Sequence, residues 1–232
     1  MISLNPDFSL IDSELISMNR LTIPPNLTEL AYQNIKQTIL QGRLSKERFT
    51  EESLSLSLGI SKSPIREALN ALKNEGLIRI EPRRGAYLRE FSLDEIRDLY
   101  GVREALETYA VRQCVVTPEL LIAFEESIEK TVSYLKKGDK RRHIEEDASF
   151  HRLLAAAANN KELSRMLETV QNQIWLFRIQ TYHLSSNTAP DAHRRIVAAL
   201  RKSDREAAEH SIREHIRHVR DSLLKHLGSR ME

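Results

Sequence analysis

The chain has 232 residues, enough for one large domain or two small ones. Hydrophobic residues make up 41% and charged residues 29%, the composition of an ordinary globular protein. The 35 basic and 33 acidic residues leave a net charge of only +2, so overall charge does not indicate a nucleic-acid binder. Evidence for such a function must come from local patterns.

Three features predict a cytoplasmic protein. The single cysteine, Cys114, excludes an intrachain disulfide and fits a reducing compartment. No apolar run of about 18 residues is present, so we expect no membrane-spanning helix. The N-terminal residues contain acids and no basic stretch before an apolar segment, and they do not resemble a signal peptide.

Residues 1–27 show weak periodicity and end near Pro24-Pro25, and we interpret them as an arm with a short helix around 12–18. Residues 28–91 then predict three helices and a β-hairpin. The predicted N-caps are Thr50 and Ser61, and the predicted terminating glycines are Gly42, Gly59 and Gly76. The hairpin consists of LIRI and AYLRE around a turn with Pro82 and Gly85.

Six further helical segments are predicted, at about 92–116, 117–137, 139–158, 161–184, 188–202 and 204–226. The predicted fold class is therefore mainly α. A winged helix-turn-helix domain covers 28–91, and an antiparallel α-helical bundle of about six helices covers 92–232.

The third helix has the pattern of a DNA-recognition helix. Its apolar stripe is opposed by short polar and basic residues, namely Lys62, Ser63, Arg66 and Asn70. Residues 60–90 hold seven basic and four acidic residues, a difference of +3, and Arg83-Arg84 lies at the hairpin tip, where a wing would meet the DNA. The alternative is a small helical domain with a solvated basic face.

Metal-ligating side chains recur on the inward faces of the C-terminal segments. Asp147 and His151 are four residues apart on one helix face, and His193 and His215 lie on the inward stripes of two later helices. Three nitrogen donors and one oxygen donor suit Zn²⁺, Ni²⁺, Mn²⁺ or Fe²⁺. His218 is the main alternative to His215 as a metal ligand. His143, His183 and His226 have no other potential metal-ligating residue beside them in the predicted pattern. Each histidine could instead have a structural role.

Two arginines are candidate anchors for a carboxylate ligand. Arg103 lies on an inward stripe of the first bundle helix, and a buried arginine normally has an acidic partner. That partner could be Glu107, one turn along, or the carboxylate of a ligand beside the metal. Arg178 is a weaker candidate.

The stretch LGISKSPIREALNALKNEGLI followed by RRGAYL resembles the GntR family of bacterial repressors, which have a winged helix-turn-helix. The resemblance implies that the recognition-helix contacts are Ser61, Lys62, Ser63 and Arg66, and that Gly85 is the wing-tip glycine. Three positions depart from the family pattern. Lys62 replaces the usual arginine, Glu52 replaces a phosphate-contacting arginine of many members, and 44–48 lacks the common Pro-Gly.

DASFHRLLAAAANN, DAHRRIVAAL and REHIRHV resemble the FCD effector domain of the FadR-type subfamily. The resemblance implies a metal site at Asp147, His151, His193 and His215 and a small organic acid as effector, which favours the anchoring role of Arg103. Six helices resemble the shorter VanR-type branch rather than FadR itself. Asn159-Asn160 stands where Gly-Asn is usual.

The sequence thus predicts a homodimeric transcriptional repressor that binds a palindromic operator and responds to an organic acid at its metal. One alternative is the same regulator with a purely structural metal. A metal hydrolase is a second alternative. It is disfavoured because the inward stripes offer no further general base, and because it would leave the DNA-binding segment unexplained.

Overall fold

The computed structural model describes residues 26–44 and 48–229. The interpretation of 1–27 as an arm, with its short helix, concerns residues that lie outside the described ones, except for Asn26 and Leu27. The elements in chain order are α1 (Leu27–Leu40), α2 (Glu51–Leu58), α3 (Lys62–Asn74), β1 (Ile78–Glu81), β2 (Gly85–Leu88), α4 (Leu93–Gln113), α5 (Pro118–Lys136), α6 (Lys140–Ala157), α7 (Lys161–Thr181), a 3₁₀ turn (Tyr182–Leu184), α8 (Ala189–Arg201) and α9 (Arg205–Gly228).

The first unit is a winged helix-turn-helix, as the sequence predicts. Its three helices bury one apolar face each around Ile35, Ile65 and Leu72. The strands β1 and β2 are antiparallel, with Ile78 opposite Leu88, and an isolated bridge joins Phe49 to Ala86. The hairpin packs against α3 through its buried face, and its turn projects as the wing.

The predicted caps of α2 and α3 have different outcomes. Thr50 caps α2, because its hydroxyl accepts a hydrogen bond from the backbone N–H of Ser53 at 3.1 Å. Ser61 is the N-cap residue of α3, as predicted, although its side chain makes no capping hydrogen bond. Pro64, three positions on, has no N–H to donate, which removes one of the two backbone groups that an N-cap side chain can reach. The Ser61 hydroxyl therefore stays exposed at the start of the helix.

The second unit contains six helices, as predicted, and they pack as a ring. Each packs against the next in the order α4, α9, α8, α5, α6, α7 and back to α4. Short connections make chain neighbours antiparallel. The apolar interior includes Phe124, Phe150, Leu154 and the buried thiol of Cys114. None of the described helices is both long enough and apolar enough to cross a membrane.

Helix α7 contacts both units. The Gln173 amide donates a hydrogen bond to the backbone carbonyl of Glu75 at 2.7 Å, just after α3. Leu176 packs against the apolar core of the first unit, and the Phe177 ring lies 5.5 Å from that of Phe91 in the connecting segment. This helix therefore links the bundle interior to the helix-turn-helix.

Candidate metal centre and DNA-binding surface

The structure brings the four predicted ligand residues together inside the bundle. Asp147 and His151 come from α6, His193 from α8 and His215 from α9, and all four are buried. One ligand atom from each lies within 4.8 Å of all the others. Among the described residues, no other group of three or more such side chains is gathered in this way.

The donor atoms of this cluster fit a cation. Asp147 Oδ1, His151 Nε2 and His193 Nε2 are buried and have no hydrogen-bond partner among the described residues. Leaving buried polar atoms unpaired is costly, so a ligand that satisfies them stabilises the fold. Metal–ligand bonds of about 2.0–2.2 Å place the donors of one ion roughly 3–4 Å apart. His193 Nε2 lies 3.7 Å from Asp147 Oδ1, and His151 Nε2 lies 3.9 Å from Asp147 Oδ2, both within that range.

Glu107, which sequence reasoning considered only as the partner of Arg103, also orients a candidate ligand. Its Oε2 atom lies 2.5 Å from His151 Nδ1, across 44 residues of sequence. A hydrogen bond donated by Nδ1–H fixes the imidazole tautomer that leaves Nε2 free to bind a metal. Nothing in the local sequence places α4 beside α6, so this contact could not be foreseen.

Ring stacking fixes the other imidazoles. His193 lies flat on Phe150, with ring centroids 3.8 Å apart and an interplanar angle of 3°. The rings of His151 and His215 are nearly parallel, with centroids 5.3 Å apart. The donors are therefore held in place before any ligand binds.

Burial keeps the histidines of the cluster neutral. It lowers the pKa of His193 to about 3 and that of His215 well below its usual range. Burial also lowers the pKa of His151, although Glu107 opposes it. Burial alone would raise the pKa of Asp147, but Arg178 and the histidines outweigh it and hold that pKa well below the usual range. The cluster thus offers a carboxylate and neutral imidazoles, the protonation states that metals bind.

Both candidate arginines are buried beside the cluster. Arg103 Nε pairs with Glu107 Oε1 at 2.7 Å, while its Nη1 and Nη2 have no partner among the described residues. Arg178 Nη1 pairs with Asp147 Oδ2. Arg103 therefore has the acidic partner that the sequence offered as one alternative, and still presents unpaired donors. Arg103 and His151 together hold the pKa of Glu107 at about 2, against the effect of its burial.

The structure also places two histidines that the sequence ranked below the four candidate metal ligands. His218 is exposed, so the structure favours His215 as the inward residue of α9. His143 was expected to lack ligand-type company, but it is fully buried one helical turn before Asp147. Its Nδ1 lies 3.2 Å from the Thr131 carbonyl oxygen, and it is outside the group of four.

A basic cleft leads from the surface to His215. Its volume is about 590 Å³, and its lining includes three arginines, Arg195, Arg213 and Arg217, and one acid, Glu214. This excess of arginines attracts anions and raises their local concentration.

The recognition helix presents its polar residues to solvent. Ser61, Lys62, Ser63 and Arg66 are all exposed at the start of α3. Arg66 forms a two-pronged ion pair with Glu51 of α2, with distances of 2.7 and 2.8 Å. Lys62 lies 3.4 Å from Glu52, the acid that replaces the family's arginine. The acids of α2 thus pair with two of the bases that the sequence predicts to contact DNA.

The wing tip is shaped by a tight turn. Arg83 and Arg84 are exposed, and Arg83 has a φ of +62°. Gly85 has a φ of +111°, and a Cβ there would meet the Phe49 carbonyl oxygen at 2.8 Å. Only glycine fits at this close approach. The two arginines therefore project where a wing would meet the DNA backbone.

This fold and surface define a DNA-binding transcriptional regulator. Residues 27–88 match the bacterial regulatory proteins of the gntR family, and residues 98–218 match the FCD domain. The chain belongs to the GntR family of bacterial transcriptional regulators and has an FCD domain.

Similar proteins agree with this assignment. The chain is 31% identical to the uncharacterized HTH-type transcriptional regulator YdhC of Bacillus subtilis (strain 168), over 84% of this chain and 90% of that protein. It is 25% identical to the HTH-type transcriptional repressor RspR of Escherichia coli (strain K12), over 75% and 78%. The fold resembles the crystal structure of a putative GntR regulator from Rhodococcus sp. RHA1, with a TM-score of 0.76, 20% identity and coverage of 87% and 99%. These relatives are regulators, not enzymes, so we set the hydrolase alternative aside.

Proposed function

We propose that this regulator is a repressor that responds to a small organic acid bound at a divalent metal ion in its FCD domain. The ligands would be Asp147, His151, His193 and His215. The main support is the buried cluster itself, because an anionic and three neutral donors with unpaired atoms gather at one point. The donor set suits Zn²⁺, Ni²⁺, Mn²⁺ or Fe²⁺. The bound ion would supply positive charge that attracts a carboxylate.

The arginines beside the cluster would select the acid. Arg103 keeps two unpaired guanidinium nitrogens, which match the two oxygens of a carboxylate. Arg178, now paired with Asp147, would bind a second polar group of the ligand. The basic cleft at His215 offers an anion a path from the surface.

Helix α7 would transmit the binding event. Arg178 lies on this helix against Asp147, and Gln173 on the same helix holds the residue that follows α3. An acid that changes the Arg178 contact would thus shift the pose of the recognition helix. It can act only if it binds the two poses with different affinity.

Two-fold pairing would place two recognition helices on a palindromic operator, with half-sites about 34 Å apart. The outer face of α4 is the candidate contact, because Val102, Ala105 and Tyr109 form an exposed apolar stripe in the middle of that helix. Ser61, Lys62, Ser63 and Arg66 would then contact the major groove. Arg83, Arg84 and Gly85 would form the wing contact. The repressor name of a relative, RspR, supports repression rather than activation.

The test measures operator affinity as organic acids are added. The operator is first selected by the protein from a random duplex library, and acids that bind are identified by calorimetry. We expect at least one acid to weaken operator binding about tenfold or more, consistent with typical allosteric coupling. Asp147→Ala should fold and bind the operator but ignore the acid, whereas Asp191→Ala, an exposed residue on α8, should respond like wild type. An acid that binds without changing operator affinity would contradict the switch. Loss of folding in Asp147→Ala would favour the alternative of a structural metal.

A further inference from the structure

A second, separate cleft lies between the two units of the protein. It has a volume of about 880 Å³. One wall is α1 and the residue that follows α3, and the other wall is formed by α6 and α7. None of the four candidate metal ligands lines it.

The walls of this cleft contain donor atoms that are buried and have no hydrogen-bond partner among the described residues. Gln171 is only 5% exposed, and its Nε2 has no hydrogen-bond partner among the described residues. Asn172 Nδ2 and the buried Nε of Arg141 also have no hydrogen-bond partner among the described residues. The guanidinium nitrogen is a donor whichever way the amides are oriented. Three unpaired donors around one cavity indicate an occupant rich in acceptor oxygens.

Four basic residues line this cleft, with three acidic ones, Glu75, Glu145 and Glu168, so the bases exceed the acids by one. Two of the four basic residues are already engaged, because Lys36 pairs with Glu75 at 2.9 Å and Arg165 with Glu162 at 2.9 Å. Arg141 Nη2 lies 3.8 Å from Glu145 Oε1, too far apart for a hydrogen bond. Arg152 forms no ion pair with any part of the chain that the structure describes, so its guanidinium is available to a ligand, and that of Arg141 is held only by a long contact.

We propose that this interdomain cleft is a second small-molecule site, for an anion with several acceptor oxygens, either a carboxylate or a phosphate. Arg141 and Arg152 bind its charge, the amides of Gln171 and Asn172 donate to its oxygens, and its less polar part lies against Trp175. The proposal does not depend on the metal-bound acid.

Occupancy of this cleft affects the arrangement of the two units. A ligand between α1 and α6–α7 contacts both, so it stabilises the pose in which they stand together and opposes their separation. The protein then has two inputs, one inside the bundle and one at the joint between domains.

The chain's only tryptophan is Trp175, so its fluorescence reports directly on this cleft. We would titrate the full chain with tricarballylate and, separately, with inorganic pyrophosphate. We expect a saturable fluorescence change with at least one probe. The probe that binds identifies carboxylate or phosphate chemistry. No saturable change with either probe at millimolar concentration would overturn the proposal.

Cleft variants separate this site from the metal cluster, which they leave intact. Arg141→Met and Gln171→Leu should each raise the dissociation constant about tenfold or more, because each removes a donor to an anion. Arg142→Met, the next residue on α6 and outside the cleft, should bind like wild type. An equal response in Arg141→Met and wild type would overturn the proposal and assign the signal to the metal cluster. Arg141 lies on the partly exposed rim, so its variant decides the test if Gln171→Leu lowers stability.

Discussion

At the residue scale, the charge state of each group in the cluster follows from burial. His193 has no hydrogen-bond partner for either ring nitrogen among the described residues, and the nearby charge of Asp147 does not outweigh the cost of removing the charged imidazole from water. His151 keeps Glu107 as a partner, yet its pKa is also lowered. The imidazoles are thus ready to bind a cation at neutral pH.

We predict that the metal-free protein loses stability as pH falls from 7 to 5. The unfolded chain protonates its histidines below about 6.5, while the folded chain does not until much lower pH. With a folded pKa of about 3, His193 alone contributes a loss of about 2 kcal/mol at pH 5. Asp147 and Glu107 have lowered pKa values and add losses only at lower pH. Thermal melting in the presence of a chelator measures this loss of stability. A melting temperature that stays constant between pH 7 and pH 5 would contradict the prediction.

A second residue-scale prediction concerns the bases of α3. Glu51→Gln removes the carboxylate that holds Arg66, so the guanidinium becomes free for DNA. We expect operator affinity to rise roughly two- to fivefold, in keeping with the small energy of exposed ion pairs. Fluorescence anisotropy with labelled operator measures the change.

Glu206→Gln is the matched control for this variant. It makes the same change of charge at an exposed residue in the first turn of α9, far from α3 in the chain. It should leave operator affinity unchanged at fixed salt. Equal affinity in Glu51→Gln and wild type would mean that the ion pair does not compete with DNA.

At the scale of elements, α7 joins the bundle interior to the helix-turn-helix. The contact with Glu75 forms beside Gly76, whose φ is +70°. A Cβ at Gly76 would lie 2.7 Å from Gln173 Nε2 and from Arg89 Nη1. These atoms are the ends of flexible side chains, so they would move aside rather than block folding.

We therefore predict that Gly76→Ala separates stability from signalling. The strain of a left-handed alanine should lower the free energy of unfolding by about 1 kcal/mol. Gly138→Ala, at φ +68° with open space around its Cβ, should cost a similar amount. Only Gly76→Ala should weaken the effect of the bound acid on operator affinity, because it displaces Gln173. Equal acid responses in the two variants would contradict a role for this contact.

The sequence predicts those features that depend on residues close together in the chain, and it does not predict those that depend on contacts between distant helices. The helix limits of the bundle agree with the predicted segments to within a few residues, because stripes and glycines are local signals. Ser61 lies at the predicted N-cap position but makes no capping hydrogen bond, and Pro64 lacks one of the two N–H groups that could donate it. The contact of Glu107 with His151 and the burial of His143 depend on packing between distant helices, and no local pattern encodes it.

At the scale of the whole molecule, the proposed dimer determines operator geometry. Tyr109 is 45% exposed within the apolar stripe of α4, and Ile122 is 55% exposed on α5 outside that stripe. Tyr109→Glu should shift the protein to a monomer and weaken operator binding, because it buries a charge in the contact. Ile122→Glu should remain dimeric. Light scattering measures the mass, and a dimeric Tyr109→Glu protein would contradict this interface.

The most direct test of the account is the metal content of the purified chain. After loading with Zn²⁺, Ni²⁺, Mn²⁺ or Fe²⁺ and exhaustive dialysis, elemental analysis should find one ion per wild-type chain and none in His193→Ala, with Asp191→Ala retaining the ion. An ion-free wild type after every loading, or an unchanged ion count in His193→Ala, would contradict the claim that these four side chains form a metal centre.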